Sequence, residues 1–393
     1  MPAQPYEQAA RLLPELMALN RDLYEKPELS GHEYQAATRH KDLLAHYDFI
    51  VEDLIFDEFA TAFRATYDTG RPGLCVGFLS EYDALPEIGH GCGHNLLGCV
   101  STGAAILLKQ MLEQDNIGGK VLLFGTPAEE TIGGKIPMAE SAVFDCLDCV
   151  LMSHPYNQNR ISGRSRACIA LEVEFFGKAS HAAAAPEFGI NALNAITLLL
   201  TGINFNREHW PSDVQVHGYI VEGGTKANIV PEHTRARFYV RAATIHAAKQ
   251  AEKRFREIVQ GASLMTGTHP EIHYFEYTTK DLVTNPVLSN LCTRQMELAG
   301  LSNISNNIDF SGSLDIGNVS QIVPCVHPYF DITGDLSIAL HTRAFAENTI
   351  TDYAYTNMLK MAIALAGTAC ELMHSPSLQQ QMRAAHEKMN MSK

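Results

Sequence analysis

A chain of 393 residues, 46% apolar and 19% charged, has the composition of a folded globular protein and is long enough for two domains. Acidic residues outnumber basic ones by 44 to 30, a formal charge of −14, which argues against a nucleic-acid partner because phosphate binding needs clustered lysine and arginine. Nine cysteines scattered from Cys75 to Cys370 read as free thiols of a reducing compartment. With no apolar run near the about eighteen residues that span a bilayer, the expectation is a cytoplasmic protein with no membrane partner.

The first 28 residues alternate charge with apolar positions and read as an amphipathic helix, without the basic start and apolar stretch of a signal peptide. Through about residue 160, apolar runs alternate with helix-length amphipathic stretches, which predicts a sheet covered by helices. Residues 74–79, 121–125 and 149–153 read as buried strands. Residues 95–114 carry Leu96, Leu97, Val100, Ala104, Leu107, Leu108 and Met111 at helical spacing, and Asn95 is placed to cap that helix.

From about 168 to 278 the order changes to strand, helix 189–204, two strands, helix 245–265, strand. This βαββαβ order predicts a ferredoxin-like α+β domain inserted between two halves of an α/β domain. The expected boundaries are 1–167 with 280–393 for the outer domain and 168–279 for the insert. Helical patterns return near 286–300 and 350–373, and the polar last twenty residues read as a frayed helix.

Three of the apolar strands are each followed by acids or imidazoles: EYDALP, TPAEE and His154-Pro155. Ligands of open α/β sheets bind outside the carboxyl ends of the strands, so these groups are expected to converge on one crevice. GHGCGHN sets Cys92 and His94 on either side of Gly93, a thiolate and an imidazole suited to zinc or a similar ion, although a Gly-rich turn with a buried thiol satisfies the same letters. Adjacent Glu129 and Glu130 allow one carboxylate to bind metal and the other to act as general base; an EE pair on a solvated surface is the other reading. His341 follows an apolar run. The Cys146/Cys149 pair reads as packing, since no second CxxC accompanies it. GxSxG and GxxxxGK[ST] are lacking.

Together, PELSGHE (27–33), DALP (83–86), CGHN (92–95), TPAEE (126–130), SHP (153–155), GKASHAAAAPEFGINAL (177–193), GGTKANIVPE (223–232) and HTRAF (341–345) resemble, in order and over nearly the whole length, family 20 of the metallopeptidases. This co-catalytic family contains aminoacylase, carboxypeptidase G and the plant auxin-conjugate hydrolases. GHGCGHNLLG, TPAEE and GSLDIGNVS look closest to its branch of p-aminobenzoyl-glutamate and β-alanyl-dipeptide hydrolases.

The resemblance implies a three-layer, zinc-peptidase-like catalytic domain with the insert as lid and dimerisation domain. It implies two divalent ions per subunit, zinc or manganese, held by Cys92, His94, Glu130, His154 and His341, with Glu129 as general base and Asp83 orienting the site. In the lid, it implies that His181 holds the oxyanion in the partner subunit's site and that Asn228 contacts the substrate carboxylate, hence a homodimer acting on an N-acyl amino acid or dipeptide. Many members place a metal-binding histidine where this chain has Glu81, so the ligand set is the cysteine-containing variant.

Overall fold

The computed structural model describes residues 4–309 and 312–391. The chain begins with helices α1 (Gln4–Glu25) and α2 (Tyr34–His46), strands β1 (Ile50–Asp53), β2 (Phe63–Asp68) and β3 (Cys75–Ser80), and helix α3 (His94–Asp115). Next come β4 (Lys120–Gly125), the short α4 (Lys135–Glu140), β5 (Cys149–Leu151) and β6 (His154–Tyr156). A second group follows: β7 (Ala167–Phe176), α5 (Ala192–Asn206), β8 (Gln215–Glu222), β9 (His233–Ala242), α6 (Ile245–Thr266) and β10 (His269–Tyr274). The chain closes with α7 (Pro286–Leu298), α8 (Ile316–Ser320), β11 (Cys325–Val326), β12 (Tyr329–Asp331), α9 (Arg343–Asn348), α10 (Asp352–His374) and α11 (Pro376–Met391).

Two compact units result. The described residues of the first are 4–164, 282–309 and 315–391; those of the second are 165–281 and 312–314. In the first, a mixed sheet of order β1-β2-β4-β3-β5-β11 packs against helices, with β3 parallel to both β4 and β5. Its central strands are buried on both faces, which is why they read as continuous apolar runs. α3 is long and apolar enough to pass for a membrane span, yet nearly all of it lies inside this unit's core. The second unit is a four-stranded antiparallel sheet of order β10-β7-β9-β8, with α5 and α6 on one face and a core of its own around Phe175, Phe238 and Phe255. Its alternating burial along β9 is the period-two pattern of a half-covered sheet.

Two expectations need correction. Asn95 does not cap α3: Gly93 does, at φ +84°, a left-handed conformation that glycine adopts without the Cβ penalty, while Asn95 Nδ2 donates to Thr349 Oγ1 at 3.0 Å. The C-terminal segment is a 16-residue helix docked on the core, not a frayed end. Met382 is fully buried, and its carbonyl accepts from the buried Asn285 Nδ2 at 2.9 Å.

Candidate metal centre

Because β3, β4 and β5 run parallel, their carboxyl ends lie side by side, and the segments leaving them carry Glu81 and Asp83, Glu129 and Glu130, and His154. Cys92 and His94 arrive on the turn into α3. An added Cβ on Gly93 would sit 2.6 Å from Pro155 Cγ, so only glycine lets that turn approach the strand bearing His154.

These side chains meet. Cys92 Sγ lies 3.5 Å from His154 Nε2. Cys92, His94 and His154 form one trio whose ligand atoms all lie within 4.8 Å of one another; Cys92, Glu130 and His341 form another, as do His94, Glu129 and Glu130. The first two trios share Cys92. His341 Nε2 stands 3.5 Å from Glu130 Oε1, and the His341 backbone, at φ +61°, is tied to Gly91 by an N–H to O bond of 2.9 Å.

Second contacts orient these groups. His94 Nδ1 meets Asp83 Oδ1 at 2.7 Å, leaving Nε2 toward the cluster, while Asp83 Oδ2 accepts from Ser30 Oγ at 2.5 Å and from the Glu130 amide at 3.1 Å. His154 Nδ1 donates to the Pro155 carbonyl at 2.7 Å, so its Nε2 is the free nitrogen. Such outer hydrogen bonds fix the tautomer and aim of metal-binding imidazoles.

Without an ion, burial works to lower His94 but the Cys92, Asp83 and Glu81 groups around it push it well above the ordinary imidazole value, and burial keeps Cys92 as the thiol. Burial pushes His154 down to about 3, which keeps it neutral and able to ligate. Burial works to raise Asp83, but His94 beside it holds the carboxyl below the ordinary value. Burial, then the Glu81 and Asp315 carboxylates, push Glu129 well above the usual carboxylate range, which suits a proton acceptor. Burial also favours the neutral form of Glu130, yet the hydrogen bond from His341 and the His94 charge keep it low.

The residues fit a metal. His94 Nε2 and Glu81 Oε2 face each other at 3.1 Å, and Glu130 Oε1 faces His341 Nε2 at 3.5 Å, so buried ligand-type atoms are turned toward one another across the cluster. Sulfur, nitrogen and oxygen atoms converging in this way form a shell suited to a divalent first-row ion.

Three residues escaped the sequence reading. Lys135 is fully buried at the start of α4, and its Nζ binds Glu81 and, at 2.8 Å, Asp315 Oδ1. Glu33, also buried, accepts from the amides of Gly31 (2.6 Å) and Ala128 (2.9 Å) and from Thr61 Oγ1 (2.8 Å). The available signals were single charged residues in otherwise buried segments, GGKIPM and GSLDIGNVS, and the acid of PELSGHE.

In the second unit, the two loops carrying His181 and Asn228 are joined: Ala182 N–H donates to Asn228 O at 3.0 Å, and His181 bridges Ile229. His181 is exposed, and its Nδ1 accepts from the amides of Ala183 (3.2 Å) and Ala184 (3.1 Å). The proton therefore sits on Nε2, which is free to donate.

A carboxylate held above its usual range beside thiol, imidazole and carboxylate groups that could hold a metal ion suits a metal-dependent hydrolase acting on peptide or amide bonds. A family profile described as a peptidase dimerisation domain matches residues 164–264. The chain is 36% identical over 384 residues to the Xaa-Arg dipeptidase of Mus musculus, covering 94% of this chain and 88% of the relative. It is 29% identical to one of the two p-aminobenzoyl-glutamate hydrolase polypeptides of Escherichia coli K12, covering 93% of this chain and 91% of the relative. A dinuclear metal binding peptidase of Bacillus subtilis superposes with a TM-score of 0.71 at 19% identity, over 93% of this chain and 99% of that one. This chain belongs to the M20 peptidase family.

Proposed function

We propose that the protein hydrolyses the amide bond of a dipeptide, or of a dipeptide-like N-acyl amino acid, releasing an amino acid with a free carboxylate. The observation that carries this reading is the pair of ligand trios sharing Cys92, with Glu129 beside them. Cys92, His94, Glu130, His154 and His341 would hold two divalent ions. When bound, these acidify water and polarise the scissile carbonyl.

Glu129 takes the proton of the attacking water and delivers it to the departing nitrogen, one carboxylate serving twice. Asp83 keeps His94 in its ligating orientation. The Nε2–H of His181 donates to the developing oxyanion in the partner subunit's site, and Asn228 contacts the substrate carboxylate. Their shared loop junction supports a joint role. A homodimer through the second unit is supported by the family match and by β8, an edge strand that exposes Tyr219 and Ile220. Nine unpaired cysteines support a reducing, cytoplasmic setting.

Higher identity to the dipeptidase favours a dipeptide, and a charge of −14 favours a cationic one over a glutamate-bearing one. The test is a panel of Xaa-Arg and β-alanyl dipeptides, N-acetyl amino acids and p-aminobenzoyl-glutamate, each with Mn²⁺, Zn²⁺ or chelator. Metal-dependent release of arginine is the expected result; turnover of p-aminobenzoyl-glutamate alone overturns the dipeptide assignment, and no turnover with any ion overturns the reading altogether.

A further inference from the structure

α3 carries His94 at one end and a second group of metal-ligand side chains at the other. α3 and α10 run parallel: Asn95 meets Thr349 near their N-terminal ends, and Asp115 meets His374 where both helices finish. With 22 residues at about 1.5 Å each, α3 separates the two groups by roughly 30 Å.

Cys370 and His374 are four residues apart on α10 and share one face. Cys370 Sγ is 3.6 Å from His374 Nδ1, His374 Nε2 is 3.7 Å from Asp115 Oδ2, and one ligand atom from each of the three residues lies within 4.8 Å of the others. His374 Nδ1 donates to the Cys370 carbonyl at 2.9 Å, which leaves Nε2 as the nitrogen with a free lone pair. His374 and Asp115 are nearly half exposed, so the group is open to solvent.

The field at this point favours a cation. Two parallel helices bring their negative C-terminal ends together, with no basic residue in the last turn of α3 and only His374 in that of α10. Arg71 donates to the carbonyls of Asn116 and Ile117 just past α3 and Arg294 pairs with Glu371, while among the described residues the ion pair of Asp115 is with His374.

We propose that Cys370, His374 and Asp115 form a further metal site for a zinc-class ion, separate from the catalytic cluster, which fastens the C-terminal ends of α3 and α10 together. Thiolate, imidazole and carboxylate are a zinc donor set, with water completing the tetrahedron. As the metal–sulfur bond forms, the thiol proton leaves to solvent, so binding strengthens as pH rises.

The test is zinc titration of the chelator-stripped full chain, with bound metal counted by elemental analysis after dialysis, for the wild type and a Cys370→Ser/His374→Ala double variant. The wild type should bind one ion more than the variant, zinc should raise its melting temperature further, and the two should share one kcat. An Asp115→Asn variant should release the extra ion to a lower chelator concentration. Equal metal counts in wild type and double variant overturn the proposal, as does an extra ion that survives in the variant.

Discussion

The Glu33 carboxylate and the Ala128 amide, 95 residues apart in the chain, meet at 2.9 Å. Ala128 stands at φ +58°, a left-handed conformation costly for a residue with a Cβ, and it immediately precedes Glu129 and Glu130. A carboxylate near the N-terminus thus holds the turn that presents Glu129 and Glu130, the proposed base and one proposed ligand.

Glu33→Ala leaves that amide without its partner and should cost about 1–3 kcal/mol of stability. A loop displaced by about 1 Å should lower kcat by roughly 10²-fold. Thermal unfolding and steady-state kinetics at saturating metal measure both. Unchanged kcat would remove Glu33 from the positioning of the base.

Glu129→Gln should lower kcat by about 10²–10⁴-fold while bound metal stays at the wild-type count. Elemental analysis beside kinetics separates this from loss of a ligand; Glu130→Gln should lose metal as well.

His181→Ala should lower kcat by roughly 10²–10³-fold, the usual effect of deleting an oxyanion donor, without altering metal content or the melting temperature. Mixing this variant with Glu129→Gln should restore activity in heterodimers if each site borrows its histidine from the other protomer. Failure of this complementation in confirmed heterodimers would place His181 in its own protomer's site.

Lys135→Met leaves Glu81 and Asp315 buried without their cation and should destabilise the fold by about 3–5 kcal/mol. Urea unfolding is the measurement. A double change to Lys135→Met with Asp315→Asn should recover part of the loss, because it removes charge of both signs.

His40, buried with its Nδ1 on Thr102 Oγ1 at 2.9 Å, is pushed by burial from 6.5 to about 3. The unfolded chain therefore binds a proton that the folded chain refuses. The stability His40 permits is complete above pH 6.5 and falls by about 1.4 kcal/mol per pH unit as pH drops toward about 3. Denaturant unfolding at pH 7 and 5.5 should show a slope steeper than this, because burial holds His90 and His154 down as well, and His40→Gln should reduce the slope by the share of one histidine, about 1.4 kcal/mol per pH unit at most.

The chain order of strands and helices, the βαββαβ insert, and the grouping of Cys92, His94, Glu129, Glu130 and His154 were legible in the sequence, because period and residue chemistry are local properties and parallel strands must align their carboxyl ends. What those patterns do not contain is the identity of distant partners. Glu33 on Ala128, Lys135 between Glu81 and Asp315, Asp115 beside Cys370 and His374, and Met382 of α11 in the core each join segments far apart in the chain. Gly93 taking the cap in place of Asn95 was decided the same way, by the closeness of Pro155 and Phe345. Local chemistry named the groups that can bind and react, and burial against remote neighbours decided which of them are held, charged and aimed.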